Sequence, residues 1–184
     1  YYIGDVIKAE KELLVRRPKD FKADFGIEVI TDIEATKILP EEKTVLAKDL
    51  STGETRQFSY DKLVLATGAS PFIPPVEGTK LGNIKTVRTV QEATDVKNLL
   101  SERDVRDAVV VGGGMNGLEV AENLSQRGIK TTVVELAPHI LPPYDADIAL
   151  HVQKHLAENG ITVLAGNSVK SFVDNGRGDV GAVS

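Results

Sequence analysis

The spacing of apolar residues changes along the chain. From Val6 to Phe25 it is irregular and charged, with Lys8 to Leu14 predicting a helix and Arg17-Pro18 its break. Ile27-Glu28-Val29-Ile30-Thr31 then alternates, Glu34 to Leu39 reads as extended, and Lys43 to Lys48 is separated from Thr55 to Tyr60 by Ser51-Thr52-Gly53-Glu54. Alternation interrupted by turn residues predicts a small antiparallel meander. It leads into Leu63-Val64-Leu65-Ala66, an apolar run suited to a buried strand, which stops at Thr67-Gly68-Ala69-Ser70 and Pro71. Pro74, Pro75 and Gly78 mark a stiff connection.

Beyond it the pattern becomes helical. Val90, Ala93, Val96, Leu99 and Leu100 predict a helix over Thr89 to Arg103, with Glu92 placed to close a capping box on Thr89. The continuous run Ala108-Val109-Val110-Val111 enters Gly112-Gly113-Gly114 and then a helical pattern from Met115 to Arg127, stopped by Gly128. Lys130 to Val134 is a second strand ending at Glu135. Ile148 to Glu158 is a second helix of this kind, closed by Asn159-Gly160, and Ile161 to Ala165 is a third strand. The order is β-α-β-α-β. This predicts an α/β fold, half of a doubly wound parallel sheet of the Rossmann type, preceded by the meander.

Composition narrows the function. A chain of 184 residues with 41% apolar and 27% charged residues can bury one good core or two modest ones. A net charge of -5 argues against nucleic acid as a partner, because affinity for a phosphate backbone rests on Lys and Arg. The stretch Leu63 to Val76 is too short to span a bilayer and is broken by Gly68, Pro71, Pro74 and Pro75. Tyr1-Tyr2-Ile3-Gly4-Asp5 carries no export signal, so a cytoplasmic setting is expected. The absence of cysteine excludes both a disulfide framework and thiol chemistry carried by these residues.

The chemistry centres on Gly112-x-Gly114-x-x-Gly117. Such a triplet is weak evidence alone, yet here it follows a strand, opens a helix, and lies roughly 20 residues before an acidic strand end, as dinucleotide binding requires. Gly112 permits the tight turn, Gly114 lets the backbone approach a pyrophosphate, and Gly117 allows helix and strand to pack closely. Gly113, Met115 and Asn116 complete the turn, whose free amides meet an anion at the helix N-terminus. Glu135 can accept hydrogen bonds from both adenosine ribose hydroxyls, whereas a phosphate there would face a carboxylate, which favours NAD(H) over NADP(H). The turn alone does not separate a nicotinamide dinucleotide from FAD.

Asp61-Lys62-Leu63-Val64-Leu65-Ala66-Thr67-Gly68-Ala69-Ser70-Pro71, together with Val111 to Glu122, resembles the pyridine nucleotide-disulfide oxidoreductases. Within that superfamily Tyr1-Tyr2-Ile3-Gly4, Gly68-Ala69-Ser70-Pro71 and Gly117 to Leu124 look most like coenzyme A-disulfide reductases, NADH oxidases and NADH peroxidases. The resemblance implies that residues 1–80 are part of an FAD-binding domain and that 81–184 form the NAD(H)-binding domain, with Asp174 to Ser184 starting a further hairpin. It implies that Ala66, Thr67 and Gly68 approach the flavin, that Glu119 orients the nicotinamide end, and that a redox cysteine lies just upstream of Tyr1. It also implies a homodimer formed through a later domain, and a disulfide, peroxide or oxygen as electron acceptor. Asn116 departs from the apolar residue usual before Gly117.

Other features have simpler readings beside functional ones. Glu119 also suits a first-turn acid complementing the helix dipole. Arg16, Arg17, Lys19 and Lys22 read as solvated surface, or as the local candidates for coenzyme A phosphates. His151 and His155 share a helical face without a third ligand, and no metal site is expected. His139 reads as a loop residue and Arg177-Gly178-Asp179 as coincidence. The chain is therefore expected to come from a flavoprotein passing hydride from NADH to FAD and onward. A non-catalytic NAD(H)-binding module and a ferredoxin-reductase-like flavoprotein without a redox cysteine are the other readings.

Overall fold

The computed structural model describes residues 2–184; Tyr1, first in the wording that carries part of the resemblance, lies outside them. The described residues form two compact units, one of them Leu14–Ala69 and the other the rest.

The Leu14–Ala69 unit is built on the expected meander. Strands β1 (Ile33–Leu39), β2 (Thr44–Asp49) and β3 (Thr55–Ser59) pair antiparallel in that order, with an irregularity in β1 between Ala35 and Lys37. Asp49 ends β2 by accepting from the Ser51 and Thr52 amides, and Gly53 supplies the positive φ of the connection. Four expectations fail, three of them in this unit. The helix expected at Lys8 to Leu14, in the other unit, is only a 3-10 turn at Glu10–Leu13, and Pro18 begins helix α1 (Pro18–Phe25) rather than breaking one. Proline suits a first helical position because its missing N–H would have no intrahelical acceptor, and Asp20 reaches back to the Arg17 amide at 2.8 Å. Ile27 to Thr31 forms no strand and lies exposed after Gly26 stops α1. Leu63 to Ala66, expected as a buried strand, is exposed and unpaired, with Val64 at 85% of its full exposure. A strand is defined by the neighbour that satisfies its amides, and among the described residues none pairs with this segment.

The other unit holds the parallel sheet. Strands β4 (Asp107–Val111), β5 (Lys130–Glu135) and β6 (Thr162–Ala165) lie side by side in that order. They alternate with α3 (Met115–Gln126) and α4 (Ala146–Glu158), giving the expected β-α-β-α-β unit. Helix α2 (Val90–Glu102) precedes it with the predicted capping box: Thr89 Oγ1 accepts from the Glu92 amide at 3.2 Å, and Glu92 accepts from the Thr89 amide at 2.8 Å.

Both sheet helices end alike. Gly128 and Gly160 take positive φ, the Ile129 amide donates to Leu124 and the Ile161 amide to Leu156, and each Leu–Ile pair then packs within one apolar cluster. The first cluster joins Leu118 and Ala121 of α3 to Val133, Ile140, Ala149, Leu156 and Ile161. The second joins Ile3, Val96, Leu124 and Ile129. Helix α3 thus serves both. Ala108 and Val110 of β4 pack into these clusters while Val109 and Val111 stay half exposed, so the uninterrupted apolar run is covered on one face only.

A hairpin of β7 (Phe172–Asp174) and β8 (Val180–Val183) follows, beginning slightly earlier than the sequence suggests. Its two outer edges are occupied. Glu77 bridges to Ser171 and accepts from the Phe172 amide, while the Asn83 side chain accepts from the Val180 amide at 2.6 Å and donates to its carbonyl at 3.2 Å. The N-terminal turn is fixed by charge. Asp5 takes Lys97 on one carboxylate oxygen and Arg127 on the other, each at 2.8 Å. The hydrogen bond from Lys97, aided by the charges of Arg127 and Lys97, holds the Asp5 carboxyl below the usual range.

Thr89→Ala is expected to cost about 1 kcal/mol in denaturant unfolding, with unchanged m, through loss of the cap. Asp5→Asn tests the ion pairs by pH. A depressed folded pKa contributes stability above the ordinary carboxylate pKa and loses it as pH falls through the folded value. The wild-type advantage over Asp5→Asn should therefore be full at neutral pH and shrink on acidification below about pH 4 in thermal scans.

Candidate functional site

Strand β4 delivers the chain to the glycine turn with the Gly112 amide still donating to Val134 of β5 at 2.8 Å, and Gly112 leaves the sheet at φ 110°, a conformation that requires glycine. A Cβ on Gly117 would lie 2.0 Å from the Gly112 carbonyl oxygen, so the first turn of α3 rests directly on the backbone of the turn. Above Gly112 and Gly114 the space is open, with nothing within 4 Å of where a side chain would begin. A shallow cavity there is lined by Val111, Gly112, Gly114, Met115, Asn116 and Gly117. No side chain caps α3, which leaves its first amides available to an anion. The backbone cradle fits a pyrophosphate in shape and polarity.

Glu135, at the end of β5, is brought against this turn. Its Oε2 accepts from the Gly113 amide at 2.6 Å and its Oε1 from the Ala137 amide at 2.7 Å. The carboxylate therefore ties the end of β4 to the chain leaving β5, and each oxygen keeps a lone pair for a further donor. This explains Gly113, which the sequence motif treats as a variable position. It is buried, and a Cβ there would meet Ile140 at 2.8 Å and Glu135 at 3.0 Å.

Sequence reasoning missed the loop after β5. The Leu141 amide donates to the Gly113 carbonyl at 2.8 Å, Ile140 is fully buried beneath the turn, and the Tyr144 hydroxyl reaches Met115 Sδ at 3.7 Å. Ile140-Leu141 before Pro142-Pro143 was the available signal, an apolar pair in a loop that needs a burial site.

Met115, Asn116 and Glu119 are exposed on α3. Glu119 lines a groove along α3 and α4 together with Met115, Glu122 and His155. Ala66, Thr67 and Gly68 belong to the other compact unit, where they form an exposed stretch with Gly68 at φ 71°. His155 faces Asn159, and among the described residues no three His, Asp or Glu side chains converge as metal ligands. No helix among them is long and apolar enough to cross a membrane. Of the basic cluster, Arg16 pairs with Asp24 and Arg17 with Asp20.

The family model for pyridine nucleotide-disulphide oxidoreductases matches residues 3–183. The chain belongs to this family. An NADH oxidase of Methanocaldococcus jannaschii is 35% identical over 174 residues, spanning 94% of this chain. This chain spans 39% of that relative's length. Among solved structures, reduced Bacillus anthracis CoADR-RHD superposes over 100% of this chain and 34% of its own at a TM-score of 0.89 and 34% identity. An NAD-dependent persulfide reductase from A. fulgidus covers 96% of this chain and 33% of its own, at a TM-score of 0.86 and 32% identity.

The fit of α3 against the turn gives a stability test. Gly117→Ala drives a methyl into a backbone oxygen and is expected to cost about 1–3 kcal/mol, whereas Gly114→Ala opens into free space and should cost less than about 1 kcal/mol. Calorimetric thermal unfolding of the two variants would separate them; equal losses would contradict the close approach.

Proposed function

We propose that the turn of residues 112–117 binds NADH and that the protein passes its hydride to FAD. Electrons then go to a cysteine redox centre outside this chain that reduces a disulfide, a peroxide or oxygen. The observation that carries the nucleotide reading is the Glu135 carboxylate fixed against the glycine turn. There it meets ribose hydroxyls as an acceptor and repels a ribose phosphate, which is the basis of a preference for NAD(H) over NADP(H). The names of the relatives, an NADH oxidase and an NAD-dependent persulfide reductase, support the same donor.

In this reading residues 1–80 contribute to an FAD-binding domain and 81–184 form the NAD(H)-binding domain. Gly112, Gly113, Gly114, Met115, Asn116 and Gly117 hold the pyrophosphate, Glu135 the ribose, and Glu119 the nicotinamide end, while Ala66, Thr67 and Gly68 approach the flavin. A bound flavin supplies the hydride acceptor and a route for electrons onward. The residues of this chain supply orientation, holding the dihydronicotinamide by its distant adenosine half so that its reactive end is presented in one pose. Coenzyme A as a disulfide partner, a homodimer and a cytoplasmic setting complete the proposal.

Purified intact protein is expected to show flavin absorbance that NADH bleaches under anaerobic conditions. A colourless protein that binds NADH without turnover would sink the enzyme reading and leave a binding module. Glu135→Arg is expected to weaken NADH roughly tenfold or more relative to NADPH, the effect of losing charge-assisted hydrogen bonds to the ribose. Competitive binding of the two nucleotides measures it, and an unchanged ratio removes Glu135 from its assigned role.

A further inference from the structure

Helix α3 carries one buried polar side chain with an unmet valence. Asn123 is 7% exposed, and among the described residues its Oδ1 has no hydrogen-bond partner. Asparagine is a poor choice inside a helix, because its amide competes for backbone groups, and an unpaired buried carbonyl is costly. Its Nδ2 shows what the position is used for: it donates to the carbonyl of Glu119, one turn earlier, at 2.6 Å. A side-chain bond to the carbonyl four residues back ties the two turns together and so constrains the turn that bears that carbonyl.

On its other side Asn123 is pressed by the N-terminal turn. A Cβ on Gly4 would fall 2.0 Å from Asn123 Oδ1 and 2.8 Å from its Cγ, so the backbone of Gly4 lies flat against the amide. This turn is itself firmly held. Ile3 is buried against Val96, Leu124 and Ile129. Arg127 donates to the Ile3 carbonyl at 2.9 Å and pairs with Asp5, while Lys97 pairs with Asp5 and sits 4.2 Å from the Tyr2 ring centroid. Asp5 adopts φ 60°, an uncommon conformation for a non-glycine residue, which these two cations hold in place.

We infer that Asn123 is a positioning residue for Glu119, and that the Tyr2–Asp5 turn holds Asn123 in the pose that performs this role. The inference rests on the reading above in which Glu119 faces the nicotinamide end. The turn presses on the amide, the amide grips the Glu119 carbonyl, and the placement of the Glu119 backbone from which its carboxylate extends follows. The glycine turn and Glu135, which hold the other half of the nucleotide, make no part of this chain of contacts.

That separation supplies the test, because ADP-ribose contains the adenosine and pyrophosphate but no nicotinamide. Titration calorimetry on the intact protein would compare NADH with ADP-ribose for wild type, Glu119→Gln, Asn123→Ala and Gly4→Ala. Asn123→Ala and Gly4→Ala are each expected to weaken NADH about three- to tenfold, the range of one lost hydrogen bond, and to leave ADP-ribose within about twofold. Gly4→Ala acts from outside the nucleotide site, so its agreement with Asn123→Ala would identify the route. Asp5→Asn, which loosens the turn without crowding it, should shift NADH in the same direction and serves where Gly4→Ala does not fold. Equal losses on both ligands, or none, would overturn the inference. An effect of Glu119→Gln without one of Asn123→Ala overturns it alone, and no effect of Glu119→Gln overturns the reading of Glu119 together with it.

Discussion

The arrangement of the candidate site depends on one close approach, that of Gly117 to the carbonyl of Gly112. Backbone meets backbone there with no room for a methyl group, so the first turn of α3 sits as near the end of β4 as two chains can come. That placement leaves the first amides of α3 uncapped and aimed over an open glycine surface, and it brings the apolar face of the helix onto the sheet. Glu135 and Leu141 then lock the turn from the β5 side by taking the amide and the carbonyl of Gly113. The geometry that would receive an anion and the geometry that closes the core are the same few contacts.

How much of this could be read from sequence differs between the two units. The parallel sheet was legible because each of its signals is local: an apolar run, a glycine turn, a 3.6-residue period, a glycine stop. Thr89 with Glu92, Gly128 and Gly160 mark helix ends through bonds spanning only a few residues, and they recur in the structure as capping box and αL stops. Glu135 was legible as an acid at a strand end, though not its bond to Gly113, which depends on how two strands are staggered.

The failures have the opposite character. Ile27 to Thr31 and Leu63 to Ala66 have strand composition and no strand structure, because pairing is a property of neighbours rather than of residues. Pro18 has the sequence setting of a terminator and is an initiator in the structure; the same fixed φ and missing amide serve both, and the side from which the helix arrives decides. Nothing local marks Asn123 in the sequence, for a related reason. Its meaning lies in Gly4, distant along the chain and adjacent in space.

The hairpin of β7 and β8 has a consequence for how the molecule behaves among its own copies. A two-stranded ribbon is marginal in water and offers two rows of unpaired backbone groups, an open template for another chain. Here Glu77 occupies one row, and the Asn83 amide imitates a strand residue on the other, giving and taking one bond each with Val180. A single side chain thus ends the ladder at that point, so self-association by strand addition is discouraged by the connector that also carries the chain into α2.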